Sequence, residues 1–226
     1  TVCNVAGYAT RSVVEYVFAQ LLSLYRQLPA YHAAVRAGKW QQAEHFCLLD
    51  YPIRELYGQT LGIIGYGELG RAVAQMGEAF GMRVMVAERA DATLRRGRAP
   101  LDAVLSESHV VSLHCPLTAE TRNLIGSDEL TRMREDAILV NTARGGIVDE
   151  AALLHAVQTG QIAGAVVDVL DGEPPRPVNA LLEAALPNLL VTPHVAWAST
   201  ASRQQLVNEL AGNIRAWRSG TPRNLV

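Results

Sequence analysis

Three side chains able to move a proton or hold an anion follow one another in the second half of the chain. Arg144 lies in Asn141-Thr142-Ala143-Arg144-Gly145-Gly146, Glu173 in Asp168-Val169-Leu170-Asp171-Gly172-Glu173-Pro174, and His194 in Thr192-Pro193-His194. Histidine exchanges protons near neutral pH because its unperturbed pKa is about 6.5. A neighbouring carboxylate stabilises the imidazolium and fixes one ring orientation. Arginine offers a planar donor fork that matches a carboxylate. Reduction of a ketoacid by hydride needs all three: a proton for the developing alkoxide, a group that keeps the donor charged, and an anchor for the acid. Singly, each has a dull role, as a loop histidine after Thr-Pro, a solvated acid before Pro174-Pro175, or an arginine closing a turn. Their joint placement carries the reading.

Each of the three follows a short apolar run. Residues 61–64, 84–87, 110–113, 137–140, 165–167 and 189–191 read as buried strands. Most of the stretches between them can supply a helix, among them residues 71–80, 128–133 capped by Ser127, and 150–157 capped by Asp149 with Gly160 near its end. Residues 200–219 read as a long helix capped by Ser199 and ended by Gly220 and Pro222. Short apolar strands alternating with helices predict an α/β fold, a Rossmann-type doubly wound parallel sheet. In such sheets the ligand crevice lies at the C-terminal strand ends, where Arg144, Glu173 and His194 would stand. Upstream, Thr10 or Ser12 can cap a helix over residues 10–28 with an apolar face at helical period, ended by Pro29. Residues 30–57 mix aromatics with polar groups at no clean period. They suit a surface connection or a subunit contact.

The chain of 226 residues is 49% hydrophobic and 19% charged, which suits a soluble globular protein with a sizeable core. A net charge of -2 gives no electrostatic case for a nucleic-acid or anionic-membrane partner. No apolar stretch reaches transmembrane length and no secretory h-region is visible. Cys3, Cys47 and Cys115 are odd in number and widely spaced, with no Cys-x-x-Cys pair, which argues against a disulfide framework or a metal site and for reduced thiols. Arg95, Arg96 and Arg98 form a basic cluster that reads as a solvated loop ahead of a phosphate site. Thr1 in place of Met hints at something missing upstream.

Gly65-Tyr66-Gly67-Glu68-Leu69-Gly70 stands directly after one strand and opens a helix, and Glu88 ends the next strand, eighteen positions past Gly70. That is close to the spacing of about 20 for a dinucleotide fingerprint. Gly65 permits the tight turn, Gly67 lets backbone approach a pyrophosphate, and Gly70 allows close helix–strand packing. The helix N-terminus adds free N–H donors and a partial positive charge. Glu88 is expected to accept from both ribose hydroxyls, favouring NAD. Arg89 beside it is placed to take a 2′-phosphate, which keeps NADP in view. His114, in His114-Cys115-Pro116-Leu117, is expected on the adenosine side.

These stretches, with residues 114–125, 141–150, 168–175 and 193–199, and Asn4-Val5 and residues 9–15 upstream, resemble the D-isomer-specific 2-hydroxyacid dehydrogenase family. Glu173-Pro174-Pro175 and His194-Val195-Ala196-Trp197-Ala198-Ser199 look most like its glycerate dehydrogenase/hydroxypyruvate reductase branch. The resemblance implies that Arg144 binds the substrate carboxylate and carbonyl oxygen, that His194 donates the proton, and that Glu173 pairs with His194. It gives Asp168 to the nicotinamide carboxamide and the Thr142-Ala143 backbone to that ring. Glu68 and Leu69 would meet the pyrophosphate through their N–H groups, and Pro116 and Thr121 join the cofactor-binding set. Position 68 is Arg or Lys in many relatives. Glu68 here should point to solvent or weaken phosphate binding.

Family members open with a substrate domain absent from this sequence. The resemblance therefore divides the chain into a remnant of that domain (1–9), an NAD-binding domain (10–196, with a dimerisation helix and arm over 10–57) and a C-terminal helix returning to the substrate domain (197–226). It implies a cytoplasmic homodimer that reduces hydroxypyruvate or glyoxylate to D-glycerate or glycolate. As given, the chain is expected to bind NAD with little or no turnover. The alternatives are a dehydrogenase for another 2-ketoacid and a corepressor-like nucleotide-sensing module. A formate dehydrogenase fits poorly, because that group places an amide where Glu173 stands.

Overall fold

The computed structural model describes residues 1–89, 92–175 and 179–226. The strands are β1 (Thr60–Ile64), β2 (Arg83–Val86), β3 (Val110–Leu113), β4 (Ile138–Asn141), β5 (Gly164–Val167) and β6 (Leu189–Val191). They form one all-parallel sheet in the order β2-β1-β3-β4-β5-β6. The helices are α1 (Thr10–Tyr25), α2 (Leu28–Arg36), α3 (Glu68–Ala79), α4 (Leu101–Glu107), α5 (Ser127–Arg132), α6 (Glu150–Gln158), α7 (Ala180–Glu183) and α8 (Thr200–Arg218).

Strand side chains alternate between two faces, and each face is buried. Leu61, Ile63, Val110, Ile138, Val140 and Val166 pack with Val17, Leu21 and Val73 of α1 and α3. Ile64, Val111, Leu113, Leu139, Ala165 and Val167 pack on the other face with Leu105, Leu130 and Leu153 of α4, α5 and α6. Two covered faces explain why the strands are continuous apolar runs rather than alternating ones. The doubly wound parallel sheet expected from the sequence is the observed fold.

Two local expectations are corrected. Pro29 does not close the first helix. The chain turns at Gln27, in the left-handed region at φ 53°, and Pro29 sits in the first turn of α2. Proline has no N–H to lose in a first turn and its fixed φ suits one. Ser127 does not cap a helix either, since it is the first residue of α5. The N-cap is Gly126, whose N–H is taken by Glu129 Oε2 at 3.1 Å. Asp149 and Ser199 cap as expected, accepting from Ala152 N–H and Ser202 N–H. The two ends of the chain meet: Asn4 N–H donates to Asn224 O at 2.7 Å, and Asn213 Nδ2 donates to Asn4 O at 2.9 Å.

Candidate active site

The strand order reverses between β1 and β3, so the loops leaving these two neighbours diverge and open a crevice. Before they part, directly after the two strands, the loops run very close to one another. A Cβ on Gly65, whose φ is +90°, would lie 2.4 Å from Cys115 N, and one on Gly70 would lie 2.0 Å from Gly65 O. Only glycine allows the turn to sit against the β3 loop and α3 to sit against the turn. Gly67 differs, because a Cβ there would meet nothing within 4 Å. Its backbone faces open space at the N-terminus of α3, as a phosphate-approach glycine should.

Beside this turn is a cleft of about 400 Å³ that also holds Arg144, His194 and Trp197. Arg144 follows β4. The buried Asn141 side chain ties down its turn, accepting Ala143 N–H at 3.1 Å and donating to Arg144 O at 3.0 Å. Arg144 Nη1 donates to Ala143 O at 2.6 Å, which leaves the rest of an exposed guanidinium for an anion. Glu173 Oε1 accepts Leu170 N–H at 2.8 Å, and its Oε2 lies 2.6 Å from His194 Nδ1. A carboxylate only accepts, so Nδ1 carries the proton and Nε2 is the nitrogen left for exchange with a ligand.

His194 is held in the left-handed region at φ 54°, uncommon for a residue with a side chain. Asp168, 1% exposed, makes this turn hold. Its backbone O accepts His194 N–H at 2.8 Å, and its carboxylate accepts Val195 N–H at 2.9 Å and Ala196 N–H at 2.8 Å. Thr192 Oγ1 donates to Asp168 Oδ1 at 2.5 Å and meets Tyr16 Oη from α1. Burial raises the Tyr16 phenol to about 12, so it stays protonated. Ser12 Oγ of the same helix donates to Ala196 O at 2.7 Å. Sequence reasoning assigned Asp168 to the cofactor and did not name Thr192, Tyr16 or Ser12 in the site. Nothing short-range marks them, because their partners lie on distant elements.

The structure places the remaining expected residues as follows. Gly67, Glu68, Leu69, Thr142 and Asp168 line the cleft with Arg144 and His194, while Glu173 stands behind His194 and does not line it. The Glu68 carboxylate does not point freely to solvent, since it accepts the Thr10 hydroxyl at 2.5 Å. Ala143 is buried in the Arg144 turn. Thr121 donates to Pro116 O at 2.6 Å, so these two close a turn after β3 and do not line the cleft. Glu88 lies two residues past the end of β2 and does not line the cleft, and its carboxylate is engaged by Arg89 and Arg95. His114 lines the same cleft as Arg144 and His194, not the Glu88 end where it was expected.

The cleft fits a nicotinamide dinucleotide. Two polar atoms on its wall are sealed from solvent and have no partner among the described residues: His114 Nδ1 and Thr142 Oγ1. Buried polar atoms are rarely left so, and a polar ligand would satisfy them. His114 Nε2 is 2.9 Å from Ser112 Oγ, and burial lowers this histidine to about 4, so it is neutral at physiological pH. The unfolded chain takes up that proton near pH 6.5, earlier than the folded one. The stability contributed by a neutral His114 is therefore full above pH 6.5 and is lost as pH falls towards 4. Denaturant unfolding of the parent and of His114→Gln should diverge by on the order of 2 kcal/mol across that window, the parent losing more. Parallel pH profiles would refute this.

Residues 18–196 match the NAD binding domain of the D-isomer specific 2-hydroxyacid dehydrogenases. The glycerate dehydrogenase of Methylorubrum extorquens is 47% identical over all of this chain and 71% of its own length. The hydroxypyruvate reductase of Blautia hydrogenotrophica is 34% identical over all of this chain and 70% of its own. The NAD+-bound D-lactate dehydrogenase of Lactobacillus jensenii superposes with a TM-score of 0.85 at 32% identity, covering all of this chain and 71% of that one. With the glycine-rich turn, the cleft and its acid/base pair, these likenesses place the chain in the D-isomer-specific 2-hydroxyacid dehydrogenase family, as an NAD-dependent oxidoreductase acting on CH–OH groups.

Proposed function

We propose that the chain serves an enzyme that interconverts hydroxypyruvate or glyoxylate with D-glycerate or glycolate, and that by itself it binds NAD with impaired turnover. The observation that carries this is the 2.6 Å pair of His194 Nδ1 and Glu173 Oε2 beside Arg144 and the glycine-rich turn. The relatives named glycerate dehydrogenase and hydroxypyruvate reductase support the substrate class. A nicotinamide dinucleotide held in this cleft would supply hydride for the substrate carbonyl carbon. Arg144 anchors the substrate carboxylate and polarises the carbonyl. His194 Nε2 gives its proton to the carbonyl oxygen, while Glu173 holds the ring so that this nitrogen faces the cleft. Glu68 and Leu69 hold the pyrophosphate through N–H groups, and Thr142, Ala143 and Asp168 border the nicotinamide. Gly65, Gly67 and Gly70 shape the turn, and Pro116 and Thr121 support the loop beside it.

We further propose a cytoplasmic homodimer. All three cysteines are free, as in a reducing compartment. Residues 37–57 expose Trp40, Phe46, Leu49 and Tyr57, with Phe46 90% exposed, which suits a pairing arm beside α1. Among the described residues no helix is long and apolar enough to cross a membrane. We assign residues 1–9 and 197–226 to the substrate-domain side of the molecule. Their mutual hydrogen bonds and the exposed Val207, Leu210, Ile214 and Trp217 along α8 support that division.

Two measurements test the reading. NADH fluorescence titration should show saturable binding at micromolar concentrations. With the chain restored to full length, NADH oxidation should then respond to hydroxypyruvate or glyoxylate above any D-lactate-forming activity with pyruvate. NADH binding without turnover of any small 2-ketoacid by the protein restored to full length would favour a nucleotide-sensing module instead.

A further inference from the structure

At the far end of β2 the carboxylate expected to receive ribose is already full. Glu88 accepts Arg89 N–H at 3.0 Å, Arg95 N–H at 3.1 Å, Arg95 Nε at 2.8 Å and Arg95 Nη2 at 2.6 Å. A carboxylate offers about four lone-pair sites, and here four donors take them. Exposure of the pair is lopsided. The Glu88 side chain is 4% exposed and that of Arg95 is 62% exposed. An approaching ligand therefore meets a guanidinium and not an anion. The Arg95 fork holds the Glu88 carboxyl down at about 2, so the pair stays intact across physiological pH. A second guanidinium is fixed nearby. Arg98 stacks over the Tyr66 ring of the glycine-rich turn at 4.7 Å and donates to Ala87 O at 3.4 Å.

We propose that Arg95, docked on Glu88, is the residue that chooses between the two nicotinamide dinucleotides, and that it makes this chain accept the 2′-phosphorylated cofactor at least as readily as NADH. This rests on the dinucleotide reading of the glycine-rich turn. A ribose diol seeking Glu88 must first displace a bidentate ion pair, which weakens NADH binding. A 2′-phosphate needs no displacement, because the outward guanidinium edge still has N–H donors to offer and Arg98 adds positive charge on the same rim. Arg89, the basic group singled out from sequence, is tied here through its backbone N–H to Glu88, and Arg95 supplies the fork. The cluster of Arg95, Arg96 and Arg98 is then a recognition loop and not only a solvated one.

The test is equilibrium titration of the parent chain, Arg95→Ala and Arg95→Lys with NADH and NADPH, read by nicotinamide fluorescence, with melting temperatures as a folding check. The parent should bind NADPH no more weakly than NADH. Arg95→Ala bares the Glu88 carboxylate, so its effects should have opposite signs. NADPH is expected to bind about 10- to 100-fold more weakly and NADH about threefold more tightly. Arg95→Lys keeps charge without the fork and should fall between. Parallel weakening of both cofactors would mark Arg95 as a loop clasp only and overturn the proposal, as would an Arg95→Ala profile unchanged from the parent. A parent preferring NADH by tenfold or more would do the same. If the parent binds neither cofactor, the dinucleotide reading fails first, and this proposal with it.

Discussion

In the protein restored to full length, replacing His194 with glutamine should lower kcat for hydroxypyruvate reduction by about 10²- to 10⁴-fold while leaving the NADH dissociation constant within about threefold of the parent value. The asymmetry follows from geometry. Nδ1 is committed to Glu173 Oε2 at 2.6 Å, so Nε2 is the one ring nitrogen free to deliver a proton. Glutamine can reach the same region and fill similar space, but its amide has no proton to give at neutral pH. The backbone turn should survive, because it is held by Asp168 through His194, Val195 and Ala196 N–H groups and not by the imidazole. Stopped-flow single-turnover rates with saturating NADH would separate chemistry from binding. A variant within threefold of the parent in kcat would remove His194 from the proton-transfer role.

The second large effect is expected at Gly145, which carries no chemistry. A Cβ there would lie 1.9 Å from Leu170 O, 2.1 Å from Leu170 C and 2.5 Å from Asp171 N. All three are backbone atoms and cannot swing aside as a flexible side chain would. The turn carrying Arg144 and the loop carrying Glu173 approach as closely as two main chains can, and the missing side chain permits it. Gly145→Ala must push these loops apart. We expect a loss of about 3 kcal/mol, at the upper end for overpacking. For a chain of this size that lowers the melting temperature by roughly 6–12 °C. Turnover should fall further than stability, because separation of the loops moves Arg144 relative to the Glu173–His194 pair. Calorimetry together with kcat/KM at a temperature where the variant is folded would show both. A melting temperature within 2 °C of the parent would contradict the packing argument.

Gly145 illustrates where sequence reasoning stopped. The Arg144-Gly145-Gly146 turn was visible as a site, but Gly145 was not visible as the contact point with Leu170, twenty-five positions later. The glycine-rich turn was legible because its three glycines act over a few residues and are flanked by a strand and a helix. The strands were legible because a parallel sheet covered on both faces demands short, wholly apolar runs. The caps at Asp149 and Ser199 were legible for a similar reason, since a cap bonds to the helix it begins. Pro29 and Ser127 were misread by one local step each: proline suits the first turn of α2 as well as the end of α1, and glycine took the cap that serine could have filled.

Local chemistry written in neighbouring residues thus indicated the Rossmann-type sheet and the glycine-rich turn, and singled out Arg144, Glu173 and His194. Tertiary structure alone decided which of those groups are available. Glu88 is an acid at the right spacing, yet Arg95 fills its lone pairs. Asp168 is an acid of the cleft, yet it is spent on amides 27 and 28 positions away. His114 is a histidine in the cleft, yet burial keeps it neutral. Residue type and spacing give a side chain its capacity to donate, accept or ionise. How much of that capacity remains for a ligand depends on partners brought in by packing, which no short stretch of sequence contains.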